Sequence, residues 1–264
     1  METDARGILD VETGLTRFRL DRHAPSEKTA RFVDRYWLAS WDLTDREPYT
    51  QRVLAHPVVN LVFTTGSATV HGPTTRVSSR LLRGTGWALG VMFRPAGFRP
   101  LLGGPMNGLV DSESAASPML GGAAAFSPGR WEGEPEELMA EVDRLLCGLL
   151  PEERHPAEDT RDIAERVAAD PSAVNVSGVA RREGCTVRSL QRRFADHVGL
   201  GPKTVIRRYR LYEAAERARR GEPTDWGRTA AELGFSDQSH LTREFTALIG
   251  VPPARYASRA APGD

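Results

Sequence analysis

Two stretches of this chain are built to one plan, and that repetition restricts its fold more than any other feature. In the first, Val179-Ala180, Gly184, Leu190 and Phe194 supply an apolar frame; in the second, Ala230-Ala231, Gly234, Leu241 and Phe245 stand in equivalent places. Each frame reads as a short helix, a turn centred on glycine, and a second helix with an apolar back and a polar front. Glycine at the turn admits the left-handed backbone that ends a helix. This is the helix-turn-helix pattern, twice over.

The chain around the two frames reads as helix throughout. Breakers divide it into Arg161 to Ala169, Ser177 to Glu183, Val187 to Val198, Pro202 to Arg220, Asp225 to Leu233, Asp237 to Ile249 and Pro253 to Ser258. Thr186 is a candidate cap for the third segment, and Ser236 or Asp237 for the sixth. Pro202 opens the longest segment and Gly221 closes it, which is the favoured placement of each residue.

Charge separates the two halves of a chain that is neutral overall. Residues 1–159 hold 17 Lys+Arg against 22 Asp+Glu, a net −5, and residues 160–264 hold 18 against 13, a net +5. Residues 181–220 concentrate 12 basic groups against 4 acidic ones. A basic run of this kind is either a solvated helix face or a surface for a polyanion. The residues left outside the apolar frames favour the second reading. Arg188, Ser189, Gln191 and Arg192 lie there on one second helix, and Gln238, Ser239, His240, Thr242 and Arg243 on the other. Arginine pairs bidentately with guanine O6/N7 and glutamine with adenine N6/N7 in the major groove. Arg182, Arg193, Arg207 and Arg210 are candidates for phosphate contacts, with pairing to Glu213 or Glu216 as the alternative fate of each. The 19-residue segment from Pro202 to Arg220 spans roughly 28 Å as a helix, close to the roughly 34 Å between successive major-groove faces on one side of B-DNA.

Residues 160–258 resemble the DNA-binding domain of the AraC/XylS family of bacterial transcription regulators. The resemblance runs through VARREGCTVRSLQRRFADHVGLGP and RLYEAAE to AAELGFSDQSHLTREFTALIGVPPARY, and is most specific in GFSDQSHLTREF with Gly250 and Pro253-Ala254-Arg255-Tyr256. It implies that positions 188, 191, 192, 238 to 240 and 243 form the base-reading face. Val205, Thr229 and Leu241 depart from the residues usual in the family, at positions that bear on packing.

The first half reads as strand and turn. Trp87, Leu89, Val91 and Phe93 alternate along GWALGVMFR as in a half-buried strand, and His56 to Thr65, Gly66 and Ala68 to His71 suggest a hairpin. Residues 95–135, rich in Gly, Pro, Ala and Ser, predict loops or short helices. His56-Pro57, Asn60-Leu61-Val62-Phe63, the WLASW segment from Trp37 to Trp41 and Gly90 to Gly97 (GVMFRPAG) are similar to a sensor-type domain found ahead of such DNA-binding units. That likeness implies a β-rich, cupin-like fold. Asn60, Trp87 and Arg94 are the pocket candidates. The expected organisation is an α+β multidomain chain: a β-rich domain over 1–134, an amphipathic helix over 135–150, a polar linker over 151–159, and over 160–264 an all-α domain with two helix-turn-helix units joined by a long helix. Leu138, Val142, Leu145, Leu146 and Leu149 stripe that amphipathic helix, with Glu134, Glu136 and Glu137 near its start; it packs on its own domain or on a twin in a homodimer.

The two cysteines, Cys147 and Cys185, exclude a disulfide framework and a four-cysteine zinc site. His56 and His71 are expected to be structural, Cys185 to be buried in its turn, and Gly103-Gly104-Pro105 to be a plain turn, so neither metal nor cofactor is expected. No apolar run approaches a membrane span, and the start METDARGILDVETG has neither a basic opening nor an apolar core, which predicts a cytoplasmic chain. The reading is therefore a non-enzymatic, sequence-specific transcription regulator. Its expected partners are double-stranded promoter DNA, a small-molecule effector or protein at the first domain, and RNA polymerase. The rival is an enzyme with a β-rich catalytic domain and a helical appendage that binds no DNA.

Overall fold

The computed structural model describes residues 14–53, 56–75, 77–120, 135–222 and 225–260. The readings of the first thirteen residues, of GGAAAFSPG and of Glu134 lie outside the described residues.

A six-stranded antiparallel sheet organises the first domain. Its spatial order is β1 (Arg19–His23), β2 (Val33–Leu43), β7 (Gly84–Phe93), β4 (Asn60–Thr64), β5 (Ser67–His71) and β8 (Glu113–Ala115), while β3 (Tyr49–Val53) and β6 (Ser78–Leu82) pair as a separate ribbon. The alternation read in the sequence holds. Leu89, Val91 and Phe93 of β7 enter the core with Leu61, Phe63 and Val70, and Trp87 packs against it. Strands β4 and β5 form the expected hairpin, turning at Gly66 with φ +79°. Gly90 lies opposite Trp37, and a Cβ there would come within 1.9 Å of the indole, so only glycine lets the two strands meet.

The stretch expected to be loops and short helices also contributes β8 and the helix α1 (Ala116–Met119). Helix α2 (Pro135–Leu149) lays Leu138, Val142 and Leu146 into the sheet's core, so its stripe packs on its own domain; Leu149 remains 43% exposed. Polar bonds fix its register, because the Asp143 carboxylate accepts from the hydroxyls of Thr29 (2.6 Å) and Tyr36 (2.7 Å).

The polar stretch before the second domain is not a slack tether. Helix α3 (Pro156–Ala169) starts four residues before position 160, capped by His155 in a capping box closed by Glu158. Ahead of it, Arg31 of the first domain donates to the carbonyls of Pro151 (3.2 Å), Glu152 (2.7 Å) and Glu153 (3.0 Å).

Beyond α3 come α4 (Val176–Arg182), α5 (Val187–His197), α6 (Pro202–Arg219), α7 (Trp226–Glu232), α8 (Gln238–Ile249) and α9 (Pro253–Ala260). Their boundaries follow the breakers to within one or two residues. Two cores form around one rod. Val205 and Ile206 of α6 join Leu190 and Phe194, whereas Leu211, Ala214 and Ala215 farther along α6 join Leu241 and Phe245. Each fully buried Phe or Leu contributes on the order of 1.5–3 kcal/mol. Val205, Thr229 and Leu241, the positions that depart from the family's usual residues, are all buried in these cores.

Candidate nucleic-acid interface

The two turns share the same backbone bonds, with one extra residue before the second reading helix, and Thr229-Ala230 rather than Ala230-Ala231 matches Val179-Ala180, since Ala231 is exposed. In the first turn Gly184 (φ +61°) donates to Arg181 O at 3.2 Å and Cys185 N to Ala180 O at 2.9 Å; in the second Gly234 (φ +77°) donates to Ala231 O at 3.2 Å and Phe235 N to Ala230 O at 2.9 Å. Each following helix is capped by a side-chain oxygen. Thr186 Oγ1 accepts from Ser189 N (3.1 Å) on α5, and Asp237 Oδ1 accepts from His240 N (2.7 Å) on α8. Asp237 rather than Ser236 is therefore the cap. Its carboxyl is held below the ordinary range, chiefly by the His240 amide and then by the Ser236 hydroxyl. Cys185 is half-buried against the first core rather than sealed within it.

On α5 the side chains of Arg188, Gln191, Arg192 and Arg193 are exposed, and Ser189 is half-buried. With Thr186, four of these residues (Arg188, Ser189, Gln191 and Arg192) line a solvent-open concavity of about 560 Å³. On α8 Gln238, Ser239 and Arg243 are exposed and Thr242 is half-buried. Among the described residues, no acidic side chain lies within ion-pairing distance of Arg188, Arg192, Arg193 or Arg243. Arg181 and Lys203, flanking α5, are exposed in the same way; the sequence placed both in the basic run without singling them out.

His240 behaves differently from its neighbours. Arg207 of α6 places Nη2 3.1 Å from His240 Nε2, and Ser236 Oγ lies 3.0 Å from Nδ1. A guanidinium can only donate, so Nε2 is the acceptor of that bond. The half-buried imidazole thus ties the rod to the second reading helix. Arg207 is occupied by this bond and by a looser pairing with Glu244 at 3.7 Å.

Two further expectations need correction. Arg210 is not on the surface: only 1% of it is exposed, and its guanidinium donates inward to Val167 O and to Asp170 O (2.9 Å), which takes it out of reach of a phosphate. Arg94 is taken up at the domain junction. It donates to Ala30 O and to Glu165 Oε1, both at 2.7 Å, and so bridges the two domains. Arg182 is paired with Asp170, while Glu213 and Glu216, the partners considered for these arginines, bind Arg217 and Arg219 instead. Asn60 Oδ1 accepts from Trp37 Nε1 at 3.2 Å. His56 packs tilted against Tyr212 of α6, ring centroids 4.8 Å apart, and burial together with the charge of Arg35 lowers its pKa to about 4. His71 binds Thr69 and Arg80. No cluster of metal-ligating side chains occurs among the described residues.

Residues 179–259 match the family described as a helix-turn-helix domain, which spans both units, and residues 21–115 match a domain of unknown function, DUF6597. The C-terminal domain is an AraC-type DNA-binding domain. A search of curated proteins finds no match. Among solved structures, the AraC-type domain is similar to the C-terminal domain of AraT, a response regulator from Geobacillus stearothermophilus, at 18% identity over 42% of this chain and 93% of that one, TM-score 0.36. An AraC-type transcriptional regulator from Chromobacterium violaceum matches at 20% identity over 38% of this chain and 91% of that one, TM-score 0.34. ToxT from Vibrio cholerae matches over both domains, at 10% identity, 93% of this chain and 99% of that one, TM-score 0.43. With an AraC-type domain behind a β-rich one, the chain is a DNA-binding transcription regulator. Among the described residues, no helix is long and apolar enough to cross a membrane.

Proposed function

We propose that α5 and α8 are the sequence readers, with Arg188, Gln191 and Arg192 addressing one major-groove segment and Gln238, Ser239 and Arg243 the next. The observation that carries this is the repeat of the turn and cap bonds in the two units, which leaves Arg188, Gln191 and Arg192 exposed on one helix and Gln238, Ser239 and Arg243 on the other. Ser189 and Thr242 sit at the edges of the two faces, and His240 positions its helix rather than reading a base. Phosphate contacts fall to Arg193, Arg181 and Lys203, whose charge makes affinity salt-dependent. The 18-residue rod between the units, roughly 27 Å long, suits two readers on one side of the duplex.

The β-rich domain is the regulatory half in this reading, and a small-molecule effector or partner acts through it. A solvent-open concavity of about 580 Å³ lined by Leu15, Phe18, Leu20, Trp41, Arg17 and Arg46, among others, is one place for such a molecule, beside the surroundings of Asn60 and Trp87. The chain acts as a regulator without catalysis. Random-site selection with the full chain at physiological salt tests the proposal. An enriched motif with two half-sites about one turn apart is expected; a flat result overturns it in favour of a β-rich enzyme with a helical appendage.

A further inference from the structure

Both reading helices end on a left-handed glycine, and side chains or backbone of the first domain reach both ends. Gly199 (φ +88°) follows α5, and a Cβ there would stand 2.8 Å from Met106 O and 3.3 Å from the Val110 side chain. Gly250 (φ +84°) follows α8, and a Cβ there would stand 2.5 Å from Arg52 Nη2. That same Nη2 donates to Ile249 O at 2.7 Å, placing a cation on the last carbonyls of α8, where the helix dipole is negative. At the other end Arg99 reaches Asp196, one turn before Gly199, at 3.6 Å. Between these points the rod lies against the same domain, with Arg208 bonded to Thr74 O and Tyr212 under His56.

We infer that the β-rich domain is a spacing template for the two readers, with Arg52 as a positioning residue that contacts no DNA. Strand β3 carries Arg52, while the 3₁₀ turn Met106–Leu109 and Val110 meet the other helix, so the distance between the caps is held by a separate folded domain as well as by α6. A change in that domain would shift one reader against the other and alter which half-site separation fits. This deepens the DNA-reading role proposed above and rests on it.

The test uses full chain and a set of duplexes carrying the selected half-sites at separations stepped by one base pair. Wild type is expected to prefer one separation sharply. In Arg52→Ala the preference over the neighbouring separations falls about tenfold, the factor carried by one charge-assisted hydrogen bond, while the preferred bases stay the same. Asp196→Asn, which loosens the other grip without backbone strain, gives a smaller broadening, and Arg83→Ala, an exposed arginine elsewhere on the domain, gives none. Circular dichroism and melting curves establish that each variant is folded. A profile for folded Arg52→Ala that superposes on wild type, or an equal loss at every separation, overturns the template. Failure of wild type to select any motif overturns the DNA-reading role itself, and the template with it.

Discussion

Arg31 and Glu158 meet across the domain junction as a bidentate pair, Nη2 to Oε1 at 2.7 Å and Nε to Oε2 at 3.3 Å. Glu158 is 3% exposed, accepts the His155 amide at 2.8 Å and faces Arg161 at 3.1 Å as well. Burial pushes its carboxyl up, but the Arg31 and His155 hydrogen bonds and the two guanidinium charges outweigh that and hold it below the ordinary range. Because the folded value is depressed, the stabilisation is fully present above the unfolded glutamate value of about 4.3 and is lost as pH falls through the folded one. Urea unfolding of wild type and Glu158→Gln should therefore differ at neutral pH and converge in acid. A constant gap across that range would contradict the role of the ionised carboxylate.

Removing Arg31 takes away three carbonyl contacts as well as this pair. Arg31→Met is expected to lower stability by about 2–3 kcal/mol, the scale of hydrogen bonds to a charged group partly open to solvent. Limited proteolysis should then cut within residues 151–155, which wild type protects. An unchanged midpoint would show that Arg31 is dispensable at the junction.

Arg210 has traded the surface for the interior, and its variants should report that. Arg210→Met takes the guanidinium donor from Val167 O and leaves Asp170 O with the Ala173 amide alone, and is expected to cost about 2–3 kcal/mol in a denaturant titration. The salt dependence of DNA affinity should not change, since no phosphate contact is lost. A shallower salt slope would return Arg210 to the DNA surface.

Arg192 and Arg243 carry the opposite expectation. Arg192→Ala and Arg243→Ala should each weaken specific binding by about 1–3 kcal/mol while leaving the melting temperature in place. Gel-shift titrations on a selected duplex decide it, and unchanged affinity in both variants would remove them from the base-reading set.

What the sequence made legible was local. Gly184 and Gly234 end their helices through their own backbone, and Thr186 and Asp237 cap theirs through bonds to residues three positions on, so these elements are written in short strings. The start of α3 was written too, in Pro156 and the His155–Glu158 box, though its polar look read as linker. The arginines were opaque because their partners are distant in the chain. Arg94 finds Glu165, Arg210 finds Val167 and Asp170, and Arg52 finds Ile249, the last 197 residues away; nothing in the spacing of the basic run distinguishes Arg210 from the exposed Arg188 or Arg192. The β3–β6 ribbon and β8 escaped for the same reason, since neither carries a clean alternation and each exists only through its partner strand.

Methylation protection of guanine N7 on a selected duplex decides whether one rod holds two readers over successive major-groove faces. Two protected clusters are expected about 10 base pairs apart on one side of the helix, with Arg192→Ala erasing one cluster and Arg243→Ala the other. A single cluster in wild type, or the loss of the same cluster in both variants, would contradict that arrangement.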